Sequence, residues 1–349
     1  MNLEAEKQKK AAEEAKKLAE EQAKAATAAS DSKQQLTATK EEASKYKTES
    51  EAKDKKIAEL ETQLTNANAK HSTAIEYAQS GRNSAAMGGF QKGADSSAKF
   101  VVPFAAPYLK PPRVIHGISH FDLESGRRRA FCGSLNDVTK SGMAYHAATW
   151  GGSFGYGFEI SWMTLPENGI HFEHGSYDAI QPGAKALSNR MFFSKPFVNG
   201  PPIVRCWFYE VNKKADTEWF SLKTFASNIT DRSFTINVES WAGRDFDDAR
   251  VCWIAYDSAE DGKRVKSACE TVTRAVKTSV GRVNFPGQPF SKIPAVFCAY
   301  SQIDMGPDRN LRGHSEISSW DTNGMTRSFG SWGDTDMDHV EVVWLAVEP

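Results

Sequence analysis

The chain has 349 residues, a formal net charge of −1 and a sequence pI of about 6.7. This balance offers no basic excess for nucleic acid or for an anionic membrane surface, so neither partner is expected. No apolar signal sequence opens the chain, nothing is long enough to span a bilayer, and five cysteines are an odd number for a disulfide framework. We therefore expect a cytoplasmic protein, with export by an unconventional route left open.

The first segment, residues 1–78, contains no Gly, Pro or Trp and is dominated by Ala, Glu and Lys. These are strong helix formers, and many Glu and Lys residues can pair at i,i+4. Ile57, Leu60, Leu64 and Ala67 follow a 3,4,3 spacing, which is typical of a coiled-coil seam. The segment is predicted to be a long α-helical coiled coil that makes the protein a homo-oligomer. A solvated single helix or a charged, partly disordered stalk is the alternative.

Residues 79–98 are rich in Gly and Ser, which is typical of a flexible linker between helical stalk and the following domains. The prediction for this segment is a linker together with the leader of the first domain.

The rest of the chain contains one motif three times, as TWGGSFGYGFEISWMTL, SWAGRDFDDARVCWIAY and SWGDTDMDHVEVVWLAV. Each copy opens with a Ser/Thr-Trp pair and has a second Trp twelve residues later. Aromatic-Pro phrases precede each copy in the same register, at Pro112, Pro202 and Pro294. An internal repeat of this length indicates three related domains in tandem.

Each copy has short runs rich in Val, Ile, Phe and Trp, bounded by Gly, Asp and Pro, with no long helical pattern between them. The fold class is predicted to be mainly β, with three tandem six-stranded antiparallel β-sandwich modules. Module 1 covers residues 99–167, module 2 residues 168–257 and module 3 residues 258–349. Trp162, Trp253 and Trp344 lie inside apolar strands and are predicted to be core residues.

The modules resemble the H-type lectin domain, the fold of snail agglutinins that bind galactose and N-acetylgalactosamine. Module 1 carries the resemblance through PYLKPPRV, Phe121-Asp122, the Val138 and Gly142 turn and the TW ending, and module 3 through QID, NLR and SWGDT. Module 2 is more divergent. The resemblance implies sandwiches that pack as a trimer with sugar held near the domain boundaries, and three copies in one chain could form a pseudo-threefold head.

The resemblance also implies a sugar site made of an Arg, the first Trp of the motif with the residue after it, an aromatic six residues further on, and an upstream Gly-x-Asp. Carried over residue by residue, the candidate carbohydrate-binding residues are Trp150, Gly151 and Tyr156 in module 1, Trp241 and Asp247 in module 2, and Arg312, Trp332, Gly333 and Asp338 in module 3.

No module has the whole set. The Arg position falls on Ala130 in module 1, with Arg129 beside it, and on Ser221 in module 2. A composite site that joins Tyr156 or Trp150 of one module to Arg312 of another could survive. The upstream Gly/Asp candidates are Asp95, Asp178 and Asp261.

Other motifs are weak. Asp334, Asp336 and Asp338 alternate like the first ligands of an EF-hand, but His339 and Leu345 stand where that loop needs Gly and Glu. The segment from His171 to His174 has no evident third metal ligand. No nucleophile is set up for catalysis, so we expect no metal, no cofactor and no enzyme activity.

Two functions remain open. One is a non-catalytic, multivalent lectin that recognises glycans with terminal galactose or N-acetylgalactosamine and serves cell adhesion. The other is a structural or protein-interaction module that keeps the lectin fold but has lost sugar binding. The paired loop aromatics and carboxylates favour the lectin.

Overall fold

The computed structural model divides the chain into two compact units, residues 1–70 and 71–349. In the second unit, called the head below, the structure describes residues 78–84, 93–167, 169–214, 219–242 and 244–349. In the first unit it describes residues 9–10, 13–14, 16–24, 32–33, 35, 39–40, 44–50, 52–53 and 55–60. Among all these residues, no helix combines the length and apolar character needed to cross a bilayer.

The described residues of the first unit are all helical and exposed. They form short runs, of which 16–24 and 44–50 are the longest, so the long helix predicted from the sequence is not seen as one element. Ile57 and Leu60 of the predicted seam are about half exposed, whereas Leu64 and Ala67 lie outside the described residues. The helical character is confirmed, and the coiled coil stays a prediction.

The head is built from antiparallel strands, as predicted. Module 1 contains β1 (Ser80–Ser84), β2 (Gly93–Ala94), β3 (Ser97–Pro103), β4 (Arg113–Leu123), β5 (Arg129–Asn136), β6 (Gly142–Thr149) and β7 (Phe154–Leu165). Module 2 contains β8 (Phe172–Ala184), β9 (Ala186–Phe192), β10 (Ile203–Lys213), β11 (Phe220–Ser227), β12 (Ser233–Glu239) and β13 (Phe246–Tyr256). Module 3 contains β14 (Val265–Thr273), β15 (Thr278–Asn284), β16 (Ala295–Met305), β17 (Leu311–Trp320), β18 (Gly324–Gly330) and β19 (Met337–Val347). The predicted boundaries at 168 and 258 fall between β7 and β8 and between β13 and β14.

Every sheet is shared by two modules. Modules 1 and 2 form the order β3-β6-β5-β10-β13-β8, and modules 2 and 3 form β14-β19-β16-β11-β12-β9. Modules 3 and 1 form β1-β7-β4-β17-β18-β15, to which the short β2 adds by pairing with β7. Each module thus places three strands in each of two sheets, and the three junctions close a pseudo-threefold ring within one chain.

The segment predicted to be a flexible linker contains strands instead. Residues 80–84 form β1, which pairs with β7 along its whole length, and Gly81 lies opposite Trp162. A Cβ at Gly81 would lie 2.9 Å from the Trp162 ring, so this glycine permits close packing rather than flexibility. The same packing recurs in module 2, where Gly175 lies opposite Trp253.

The second tryptophan of each motif is a core residue, as predicted. Trp162, Trp253 and Trp344 are buried between the two sheets of their modules. Alternation along the strands produces this core: in β3, Ala98, Phe100 and Val102 point inward while the residues between them are exposed. The alternation of buried and exposed residues in β3 is that of a strand with one face against the core.

A second apolar core lies where the three modules meet. The register at the junctions makes Gly117, Trp207 and Ala299 equivalent, and these three residues contact one another. Trp207 is fully buried, donates from Nε1 to the carbonyl of His116 at 2.7 Å and packs against Phe297. Since a Cβ at Gly117 would overlap both the Trp207 ring and the Ala299 methyl, the space holds one large side chain and two small ones.

Trp207→Ala is expected to lower the free energy of unfolding of the head by about 3–5 kcal/mol, because it removes a large side chain from this core. Gly117→Ala alone should cost about 1–3 kcal/mol through overpacking. In the double variant the added methyl no longer meets the Trp207 ring and can move into the vacated space away from the Ala299 methyl, so the two costs should not add. Urea denaturation of the four proteins measures this cycle, and simple additivity would contradict the shared site.

Candidate functional site

The three junctions between modules have the same backbone arrangement. At each one, two strands pair so that Arg312 lies opposite Asp122, Ala130 opposite Asn212, and Ser221 opposite Asp304. We name these the 3/1, 1/2 and 2/3 junctions after the modules that meet there. Trp332 lies at the 3/1 junction against His120, and Trp241 lies at the 2/3 junction against His339. Gly151, which follows Trp150, lies against Arg128 at the 1/2 junction. The candidate residues are therefore distributed over three separate clefts.

The 3/1 junction is organised by Arg312. Its Nε lies 3.4 Å from Oδ1 of Asp122 on module 1, and its Nη1 donates to Oδ1 of Asp334 at 2.5 Å. Burial raises the pKa of Asp122, and the charge of Arg312 opposes that rise. Gly333 has a φ of +63°, and a Cβ there would lie 2.9 Å from Arg312 Nη1. Gly333 therefore makes room for the guanidinium.

Trp332 contacts histidines from both modules at the 3/1 junction. Its ring stacks on His120 of module 1 with centroids 4.8 Å apart, and His314 lies 5.8 Å away. Burial, and then the nearby charge of Arg82, lowers the pKa of His120 to about 4. The imidazole is therefore neutral at pH 7 and forms part of an uncharged aromatic surface.

Tyr156 of module 1 lies at the same junction, with 36% of its surface exposed. Its hydroxyl donates to Oε1 of Glu124 at 3.1 Å, and this hydrogen bond raises the pKa of Tyr156. Asn310 of module 3 accepts from the N–H of Ser125 at 3.2 Å and also interacts with Asp122 and Tyr156. Tyr156 of module 1 and Arg312 and Trp332 of module 3 thus belong to one composite cleft, as the composite hypothesis requires.

The 1/2 junction is organised by Arg128, which lies against Gly151 of the Trp150 loop and binds side chains of module 2. Arg128 donates from Nε to Oδ1 of Asn212 at 2.8 Å and pairs with Asp247. Lys214 lies 3.6 Å from Asp247, which is only 5% exposed. The Trp150 loop and Tyr156, only six residues apart in sequence, therefore lie at different junctions, and Asp247 is a buried ion-pair partner.

The 2/3 junction contains Trp241 and Asp338. Trp241 stacks on His339 of module 3 with centroids 5.9 Å apart, and Asp338 lies 3.3 Å from the Nδ1 of the same histidine. Arg244 donates to Ser221 and lies 3.6 Å from Asp304. No aromatic ring stands where Tyr156 stands in the 3/1 cleft, because Asp338 occupies that position.

Two arginines at these junctions were missed in the sequence. Arg128 precedes Ala130 by two residues and so lies on the same side of the chain, whereas Arg129 points the other way and is buried. Searching two positions away instead of one would have found Arg128. Arg244 reaches Ser221 from the loop after Trp241, and strand spacing carries no signal of such a contact.

Of the three upstream Gly/Asp candidates, one lies at a junction and two do not. Asp95 accepts from the N–H of Gly152 at 2.8 Å and so lies beside the Trp150 loop. Asp178 lies 3.8 Å from Arg250 on the module 2 sheet, and Asp261 accepts from the Tyr256 hydroxyl at 2.7 Å, so neither joins its junction.

Asp304, Asp338 and His339 are the residues of the described chain whose ligand atoms come close enough to suggest a metal site, all within 4.8 Å of one another. The guanidinium of Arg244 lies 3.6 Å from Asp304 and already supplies positive charge there. A cation is therefore disfavoured at this position.

The H-type lectin domain model matches residues 99–164, 188–256 and 280–347, which together exceed half of the chain. The chain belongs to the H-type lectin domain family. It is thus a carbohydrate-binding protein of a non-catalytic family, with three tandem lectin domains. No curated protein sequence matches the chain. A solved structure of wild-type discoidin II from Dictyostelium discoideum is similar at 10% identity, over 47% of this chain and 77% of that one, with a TM-score of 0.23.

Asp247→Ala is expected to lower the free energy of unfolding of this lectin by about 1–3 kcal/mol, because Arg128 loses its buried carboxylate partner. Asp338→Ala, at the equivalent but exposed position, should change it by less than about 0.5 kcal/mol. Urea denaturation compares the two variants. An equal loss of unfolding free energy in both variants would show that Asp247 and Asp338 contribute equally to stability, contrary to this expectation.

The lowered pKa of His120 predicts a pH-dependent stability. Between about pH 6.5 and pH 4 the unfolded chain binds a proton at His120 that the folded lectin does not, so stability falls as the pH falls through this window. The full effect is about 3 kcal/mol. His120→Asn cannot titrate, so its unfolding free energy relative to wild type should rise by that amount from pH 7 to pH 4. Parallel pH profiles would refute the assignment.

Proposed function

We propose that the lectin binds a terminal galactose or N-acetylgalactosamine residue of a glycan in the 3/1 cleft. The observation that carries this proposal is the exposed ring of Tyr156 at the junction where Arg312 and Trp332 of another module lie. The resemblance to snail agglutinins supplies the sugar class. The composite cleft supplies the aromatic, the tryptophan and the arginine that a sugar site of this family uses.

The chemistry of the cleft suits such a ring. A galactose-type sugar has an apolar patch of C–H groups that can lie on an aromatic plate such as Tyr156. Glu124, Asp122 and Asp334 offer carboxylate oxygens that accept hydrogen bonds from sugar hydroxyls, and Arg312 offers N–H donors. Donors, acceptors and an aromatic face therefore surround one space.

The other two junctions support sugar binding less well. At the 1/2 junction Asp247 replaces the aromatic and is buried against Arg128, so the cleft lacks a plate for the sugar. At the 2/3 junction Trp241 stacks on a histidine as Trp332 does, but Asp338 replaces the aromatic that Tyr156 supplies at the 3/1 junction. We propose one sugar site in each head, with the helical segment forming a coiled coil that joins several heads. Such linkage can raise avidity about 10²- to 10⁴-fold. Residence in the cytoplasm stays a prediction from the sequence.

Tyr156→Ala is expected to weaken binding of methyl galactoside or methyl N-acetylgalactosaminide about tenfold, and Arg312→Ala about 10- to 100-fold. Trp150→Ala, in the 1/2 cleft, is the matched control and should bind as wild type does. Isothermal titration measures affinity and should give one sugar per wild-type chain. Thermal unfolding separates lost binding from lost folding, and Tyr156→Ala should leave the transition nearly unchanged.

A glycan array with the full-length protein tests the class of ligand. Selective signal on terminal galactose or N-acetylgalactosamine is expected, and it should weaken when residues 1–78 are removed. A blank array from a folded protein would contradict the proposal and leave the protein-interaction module as the function. Weaker binding by Trp150→Ala than by Tyr156→Ala would move the site to the 1/2 junction.

A further inference from the structure

An open cleft of about 440 Å³ lies among three loops of module 3. The loops connect β14 to β15, β16 to β17 and β18 to β19. Charged side chains of both signs line the cleft, namely Arg274, Lys277, Arg309, Asp308, Asp334 and Asp336. We name it the module 3 cleft. Its volume is in the range of clefts that bind small molecules.

The module 3 cleft adjoins the 3/1 cleft through Asp334. Oδ1 of Asp334 accepts from Arg312, which belongs to the 3/1 cleft, at 2.5 Å. Oδ2 of the same carboxylate lies 3.6 Å from Nη1 of Arg309, which lines the module 3 cleft. The Asp334 side chain therefore borders both spaces, and the module 3 cleft is the neighbour of the 3/1 cleft on this side.

The charges of the module 3 cleft are balanced, with three cationic and three carboxylate side chains. Arg274 pairs with Asp336 at 2.7 Å. Lys277 donates to the carbonyl of Gly333 at 2.5 Å, and within the described chain neither Lys277 nor Asp308 takes part in an ion pair. A charged ligand would gain little from balanced walls, whereas the hydroxyls of a neutral sugar can both donate to carboxylates and accept from cations.

Module 1 lacks the three carboxylates at the equivalent positions. The positions of Asp308, Asp334 and Asp336 are occupied there by Gly126, Gly152 and Phe154. Phe154 packs against Tyr156 and lies beneath the guanidinium of Arg127. The carboxylates are therefore a feature of module 3, the module that supplies Arg312 and Trp332 to the 3/1 cleft.

We propose that the module 3 cleft binds a second, neutral sugar residue of the glycan whose terminal residue occupies the 3/1 cleft. This inference rests on the proposed function and extends it. The lectin then recognises an oligosaccharide rather than a single sugar, and Asp308 and Arg309 determine how strongly the second residue contributes.

Isothermal titration of full-length protein tests this with methyl galactoside, lactose and melibiose, in which galactose is terminal and the second residue is neutral. At least one disaccharide should bind wild type about tenfold more tightly than methyl galactoside does. Asp308→Ala and Arg309→Gln should remove that advantage and leave the affinity for methyl galactoside unchanged. Asp231→Ala, at a partly exposed aspartate of module 2, is the control and should behave as wild type.

The outcomes distinguish the two proposals. If methyl galactoside does not bind wild type, this inference is overturned, and the proposed function fails as well only if methyl N-acetylgalactosaminide does not bind either. If the monosaccharide binds but neither disaccharide binds more tightly, only the second subsite is overturned. The same holds if Asp308→Ala weakens the monosaccharide and the disaccharides equally.

Discussion

Main-chain hydrogen bonding between modules is the constraint on which the head depends. Each module supplies only three strands to each of its sheets, so every half-sheet would end in an unpaired edge of backbone N–H and C=O groups. Pairing of β4 with β17, β5 with β10 and β11 with β16 removes those edges. Because each edge is completed by a different neighbour, the modules can satisfy their backbones only as a closed ring.

Because the three modules belong to one chain, equivalent positions can hold different residues, which is impossible in a trimer of identical chains. In a symmetric trimer, any side chain at the position of Trp207 would appear three times around the axis. Here one Trp meets Gly117 and Ala299, and the three volumes together fill a single core. The order of modules is thereby specified by packing, because each module fits only one place around this tryptophan.

Much of the fold follows from sequence because repetition shows which positions are equivalent and alternation shows which face is buried. The three β modules were predicted from the repeat, and the core tryptophans were predicted from their position inside apolar strand-like runs. The packing role of Gly81 was not predicted, because glycine occurs both in flexible loops and at sites of close packing. Only the position of the Trp162 ring opposite Gly81 distinguishes the two cases. The placement of Tyr156 beside Arg312 needed the sheet register across the ring, which depends on contacts far apart in sequence.

The divergence of the three junctions shows that equivalent positions of a repeat can carry different side-chain contacts. The position six residues after the first motif Trp holds Tyr156 at one junction and an aspartate at the other two. At the 1/2 junction that aspartate, Asp247, is buried and forms an ion pair with Arg128, so an ion pair stands where the 3/1 junction has an aromatic ring. At the 3/1 junction Arg312 is held by Asp122 and Asp334, and the Tyr156 ring stays exposed. Since backbone pairing already closes all three junctions, the side chains of one junction are free to serve a ligand.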